Sequence, residues 1–175
     1  ILIPSRIAAT RLPGKPLLKI NNISIISHVF KRAEEANIGE VVVATDDQEI
    51  LKDVQKNGGK AILTSKDHKT GTDRIYEAYT KLNIKDVDFI LNLQGDEPDI
   101  DKNDIINLNN FMINQNTELG TLAAKIEDNR MLNNRNVVKV ITDKKLEKNN
   151  FPKALNFTRE NLLKYYQNIY HHIGI

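Results

Sequence analysis

Ile1-Leu2-Ile3-Pro4-Ser5-Arg6-Ile7-Ala8-Ala9-Thr10-Arg11-Leu12-Pro13-Gly14-Lys15-Pro16-Leu17 runs from a short apolar strand into a loop stiffened by Pro13 and Pro16. The stretch carries neither a Walker A motif nor a G-x-G-x-x-G turn, so two common nucleotide folds lose support at the outset. What it carries instead is charge. Arg6, Arg11, Lys15 and Lys19 all precede Glu34, the first carboxylate of the chain. Guanidinium forks and an ammonium can neutralise phosphate oxygens from several sides, and prolines reduce the entropy lost when a loop orders around a ligand. The loop therefore predicts a polyphosphate site. The competing reading is a solvated basic loop after an edge strand.

Beyond the loop, strand-like and helix-like runs alternate, as expected of α/β architecture: a Rossmann-like, mostly parallel sheet with helices on both faces. Ser24 is placed to cap a helix carrying Ile26, Val29, Phe30 and Ala33 on one stripe, with Gly39 as its end. Val41 to Thr45 reads as a buried strand. Asp46 and Asp47 read as caps for a helix containing Ile50, Leu51 and Val54, closed by Gly58-Gly59, and 61–64 reads as the next strand. Residues 72–82 form a third helix. Val87 to Leu93 reads as the strongest strand, delivering Gln94-Gly95-Asp96-Glu97-Pro98 to its carboxyl end. In open α/β sheets ligands sit beyond that end, where strand order reverses. A helix over about 103–114 and strands near 119–126 and 137–143 follow, and 144–175 has no clear period.

Composition narrows the function classes. With 175 residues the chain suits a single domain, 1–175, able to bury roughly 70% of its unfolded surface. It has no cysteine, which excludes disulfides and thiolate metal sites and fits a reducing, cytoplasmic setting. No apolar run approaches the ~20 residues that cross a bilayer, and no signal-peptide pattern opens the chain, so no membrane insertion is expected. A net charge of +2 is too small for a general nucleic-acid binder. The chain begins without methionine inside one apparent strand and stops at Ile175 inside another, which reads as a protein lacking its C-terminal part.

Three segments carry candidate chemistry. Asp96 follows an apolar strand, and Gly95 lets the backbone approach a ligand closely, an arrangement suited to Mg²⁺, which takes one or two carboxylates plus substrate phosphates. A simple turn is the alternative. Gly71-Thr72-Asp73-Arg74 opens a helix, where amides hold an anion or a base edge; Thr72 or Asp73 would cap that helix in any protein, whereas Arg74 is not needed for a cap. His171 and His172 adjoin on a strand, point to opposite faces and cannot easily share a metal.

Taken in order, these pieces resemble the nucleotidyltransferases that activate acidic sugars, most closely the 3-deoxy-manno-octulosonate cytidylyltransferase family. The likeness rests on Ile3-Pro4-Ser5-Arg6 with Thr10 to Leu17, Val43 to Asp47, Gly71 to Arg74, Asn92 to Pro98, Val137 to Val140, Phe157-Thr158-Arg159 and His172 to Ile175. It implies CTP and the sugar acid Kdo as substrates, CMP-Kdo and pyrophosphate as products, a role in lipopolysaccharide assembly, and a homodimer. By the same resemblance Arg6, Arg11 and Lys15 meet phosphate, Gly71, Thr72 and Arg74 lie near the nucleotide, and Asp96 binds Mg²⁺. Gln94, Arg159 and His172 fall on the sugar side; Arg11, Lys15 and Asp96 carry the catalysis. The chain departs from the family at Ala9, where a serine is usual, and after Arg159, where Glu160 follows and the interval to His172 is short, as if a loop were omitted. Alternatives are another acidic-sugar synthetase, such as a CMP-sialate synthetase, and a module that binds CTP without turnover. A dehydrogenase fits least, since cations stand where a nicotinamide site needs glycines.

Overall fold

A computed structural model describes residues 1–7, 12–147 and 150–175. It divides into two compact units, 1–118 with 174–175, and 119–173.

The first unit is built on a parallel sheet. β1 (Leu2–Ser5) pairs with β4 (Val42–Thr45), which pairs with β5 (Ala61–Leu63), so the sheet order is β1-β4-β5. On the other side of β1 the chain returns only at an isolated parallel bridge, Leu2 to Asn92, made by Leu2 N–H to Leu91 O at 2.9 Å and Leu93 N–H to Leu2 O at 3.1 Å. The expected long strand over 87–93 is thus reduced to that bridge. Val87, Phe89 and Ile90 are exposed, and among the described residues the apolar run that predicted a central strand pairs with no strand beyond that bridge. The order is consequential all the same: later chain is added on one side of β1 through β4 and β5 and then on the other at Asn92. β1 is the point where strand order reverses, and a ligand crevice is expected beyond its carboxyl end.

Helices cover both faces of this sheet. Strand side chains alternate, so Leu2 and Val42 share one face and pack with Ile75 of α3 (Gly71–Leu82). Ile3 lies on the opposite face near Ile26 of α1 (Ile25–Glu35). α2 (Gln48–Lys56) joins β4 to β5 and buries Ile50 and Val54. Ser24, at the end of the two-residue hairpin β2 (Lys19–Ile20) and β3 (Ile23–Ser24), caps α1 through its hydroxyl, and that hydroxyl and Ser27 Oγ both donate to Asp53 of α2. α1 stops at Glu35 rather than at Gly39: Asn37 takes the left-handed turn at φ 48°. α4 (Lys102–Gln115) completes the unit, capped by Asp101.

The second unit is antiparallel, with strand order β6-β9-β7-β8 for β6 (Leu122–Ala124), β7 (Lys139–Thr142), β8 (Ala154–Thr158) and β9 (Ile169–Ile173). A short α5 (Asn129–Asn133) precedes β7, and Leu132, Ile141 and Ile169 form its core. β7 is buried along its length, whereas β8 is an exposed edge, so the parallel expectation holds for the first unit alone.

Candidate active site

A cleft of about 310 Å³ opens beyond the carboxyl end of β1 and is lined by three stretches of the first unit: Pro4 to Arg6, His68 to Gly71 with Arg74, and Gln94 to Asp96, together with Lys15 and Pro16. Two glycines let the walls approach. A Cβ on Gly95 would lie 2.9 Å from Pro4 O and 3.1 Å from Ile26 Cδ1, and one on Gly71 would lie 3.2 Å from Pro4 Cγ. Any side chain at Gly95 therefore displaces backbone. Gln94 is held from behind, its N–H donating to Gly174 O at 3.2 Å and its Nε2 to Asn92 Oδ1 at 3.3 Å.

The cationic loop and the acidic turn meet here. Gly14, at φ 72°, donates to Ile7 O and starts a single 3-10 turn, Lys15–Leu17, which directs Lys15 Nζ to 2.7 Å from Asp96 Oδ2. Both side chains remain partly exposed, at 34% and 54%. Arg6 also lines the cleft, exposed and with no ion-pair partner among the described residues. Arg11 and Ala9 lie outside the described residues.

The wall opposite is braced by ion pairs the sequence does not announce. Thr70 caps α3, accepting Asp73 N–H at 3.1 Å, so the helix begins at Gly71 and neither Thr72 nor Asp73 is its cap. Thr70 serves because its extended backbone turns the hydroxyl back over the first turn. Thr72 is exposed and outside the cleft lining, whereas Gly71 and Arg74 are part of it. Arg74 is only 2% exposed, and its guanidinium donates to Asp46 Oδ2 at 2.8 Å, Thr64 Oγ1 at 2.5 Å and Ser65 O at 3.3 Å. Asp46 is thus a charge partner rather than a cap; Asp47 alone caps α2, through Glu49 N–H and Ile50 N–H. Arg74 ties the ends of β4 and β5 to α3 and so fixes the wall's shape.

His68 and Glu77 form a second brace. His68 Nε2 is hydrogen-bonded to Glu77 Oε2, which also accepts Ser65 N–H at 2.9 Å, while Glu77 Oε1 pairs with Lys81 Nζ at 2.6 Å. Lys81, then the Ser65 amide and His68, hold the Glu77 carboxyl down to about 2. His68 and Glu77 sit nine positions apart across a loop and a helix start, a separation no periodicity flags.

In the second unit Arg159 Nη1 donates to Arg135 O at 3.0 Å and Asn136 O at 3.3 Å. Lys139, fully buried in β7, donates from Nζ to Asn134 O at 2.8 Å and Arg159 O at 3.1 Å, which fastens the same two segments. Burial, then the charge of Arg159, lowers the Lys139 pKa. A lysine inside Val137-Val138-Lys139-Val140-Ile141 was a visible signal for a buried cation. His172 Nε2 bonds Thr121 Oγ1 at 2.8 Å, its ring meets Phe157 edge-on at 5.1 Å, and burial, then His171, lowers its pKa. The hydrogen bond and the ring contact orient the imidazole, and its surroundings disfavour the protonated form.

Among the described residues no group of three or more acidic, histidine or cysteine side chains could hold a metal alone. A cation at Asp96 would need oxygens from a ligand and from water, which is the habit of Mg²⁺ on substrate phosphates. A cleft at a sheet switch point, cationic on one side and with a hard carboxylate facing it, suits a phosphate-bearing ligand, and the family match makes the protein a nucleotidyltransferase. Residues 1–175 match the Cytidylyltransferase family, and the chain belongs to it, within the 3-deoxy-manno-octulosonate cytidylyltransferase branch. The enzyme of that name from Thermodesulfovibrio yellowstonii is 45% identical over 99% of this chain and 72% of its own length. The one from Bradyrhizobium sp. is 44% identical over 100% and 71%. A solved CMP:2-keto-3-deoxy-manno-octonic acid synthetase complexed with CTP superposes with a TM-score of 0.83 at 36% identity, covering 99% of this chain and 70% of that one.

Gly95→Ala must displace the turn from β1 by a few tenths of an ångström or more. Nucleotide binding is expected to weaken at least ~10-fold, about 1.4 kcal/mol, read by calorimetric titration. Glu77 contributes stability that is present above its unfolded pKa near 4.5 and lost as pH falls toward about 2. The melting-temperature gap between wild type and Glu77→Gln should therefore be full at pH 6 and shrink as pH drops through that window; a gap independent of pH would refute the role.

Proposed function

We propose that the protein transfers a cytidylyl group from CTP to 3-deoxy-D-manno-octulosonate, giving CMP-Kdo and pyrophosphate for lipopolysaccharide assembly. One observation carries this reading: Lys15 and Arg6 line the same cleft as Asp96, at the carboxyl end of β1. The family membership and the relatives' names supply the identity of base and sugar.

The anomeric hydroxyl of the sugar attacks the α-phosphorus of CTP in line; the new P–O bond forms as the bond to the β-phosphate oxygen breaks and pyrophosphate departs. No side-chain nucleophile is required, so catalysis is positioning and charge stabilisation. Arg6, Arg11 and Lys15 hold the triphosphate and the leaving pyrophosphate, and Gly71 with Arg74 supports the nucleotide side. Gln94, Arg159 and His172 are the residues that the family resemblance assigns to the sugar acid. Asp96 would hold Mg²⁺ with phosphate oxygens; the ion's chemistry there is polarisation of the α-phosphoryl group and a lower pKa for the attacking hydroxyl. When phosphate arrives, Lys15 exchanges Asp96 for a triphosphate oxygen and leaves the carboxylate free. No helix among the described residues is long and apolar enough to cross a membrane. A cytoplasmic homodimer working on soluble substrates completes the reading.

Pyrophosphate release from CTP should require Kdo, and sialic acid should not replace it; CTP binding without release would mark a non-catalytic module. Lys15→Ala should raise the KM for CTP by ~10- to 100-fold, the loss of a charge-assisted bond worth about 1.5–3 kcal/mol. Asp96→Asn should abolish synthesis at limiting Mg²⁺, and full retention there would dismiss Asp96 as the metal ligand.

A further inference from the structure

The cleft contains a titratable ring that the reaction above leaves without a task. His68 lines it beside Lys69, Thr70 and Gly71, and its Nε2 is committed to Glu77. Glu77 accepts from Ser65 N–H and pairs with Lys81, so both its oxygens are occupied and it stays ionised through the neutral pH range. An ionised carboxylate only accepts hydrogen bonds, so Nε2 must carry the proton. In the neutral ring Nδ1 is then a lone-pair acceptor, and it has no hydrogen-bond partner among the described residues.

The carboxylate of the cleft lining, Asp96, is already paired with Lys15. Four other side chains of the lining, Lys69, Arg6, Lys15 and Arg74, are donors alone. They suit phosphate and cannot accept a hydrogen bond. The other charged groups near the ring, Asp67 in the same loop and Glu77 and Lys81 on α3, are bonded away: Asp67 to Ser65, Glu77 and Lys81 to each other.

We infer that His68 is a specificity-determining residue of the nucleotide site, accepting through Nδ1 a hydrogen bond from a donor on the nucleoside, and that Glu77 is the positioning residue that fixes its tautomer. The inference rests on the proposed nucleotide occupying this cleft. Two donors of a cytidine nucleotide share the chemistry, the exocyclic amine of the base and a ribose hydroxyl. UTP replaces the amine by an acceptor, and dCTP lacks the 2′-hydroxyl.

The test measures the dissociation constants of CTP, UTP and dCTP at pH 8 for the wild type, His68→Ala, His68→Gln and Glu77→Gln, with melting temperatures recorded alongside. A ~10-fold or greater fall in the CTP-to-UTP preference in His68→Ala assigns the contact to the base amine; a similar fall in the CTP-to-dCTP preference assigns it to the ribose. Either result supports the inference. His68→Gln offers a carbonyl acceptor and an amide donor to Glu77, so it should recover part of the lost preference even if His68→Ala folds poorly. Glu77→Gln should move the same ratio in the same direction, and combining Glu77→Gln with His68→Ala should lose no more than His68→Ala does. Equal weakening of all three nucleotides, or unchanged ratios, overturns the specificity role and leaves only a brace. A shifted ratio in His68→Ala with none in Glu77→Gln overturns the positioning role of Glu77. A wild type that binds no CTP overturns instead the reading on which the inference stands.

Discussion

The cleft depends on how closely two turns press against one proline. Pro4, next to the last residue of β1, has Gly95 against its carbonyl and Gly71 against its ring, and neither position has room for a Cβ without displacement. β1 is bonded to β4 on one side and bridged at Asn92 on the other, so it is held along both edges. Packing both walls onto it transfers that rigidity to the groups they carry, Asp96 on one turn and the start of α3 on the other. Functional groups held this way need little reorganisation when charge develops in a reaction.

Charge is distributed around the cleft by task. Arg74 and Glu77 are saturated with partners inside the wall and shape it, while Arg6 and Lys69 stand open at its surface. The second unit repeats the division within itself: Lys139 is sealed among carbonyls, and it fastens the backbone of Arg159, whose guanidinium is exposed. Buried charges are costly unless fully bonded, so using them as braces restricts the loops to one arrangement.

Much of the first unit was readable in the chain. Apolar stripes at helical spacing located α1 and α2, helices were also expected over 72–82 and about 103–114, and short apolar runs located β4 and β5. The cations before Glu34 and the carboxylate after Gly95 named the two sides of the cleft. The errors have physical sources. Val87 to Leu93 has strand composition, yet composition does not say whether a neighbour exists, and only Asn92 found one. Thr70 took the cap expected of Thr72 or Asp73, since several good capping residues in a row leave the start undecided. Asp46 looked like a cap because its partner, Arg74, lies 28 positions away. The second unit was harder to read because its edge strand β8 is exposed on both faces and shows no alternation.

The cleft is bridged by Lys15 and Asp96, and both side chains of the bridge are partly open to solvent. Partly solvated ion pairs of this kind contribute roughly 0–1 kcal/mol, so parting them adds almost nothing to an activation barrier. The contact behaves as a loose latch that neutralises both groups and can part at the pace of side-chain rotation rather than of a domain hinge.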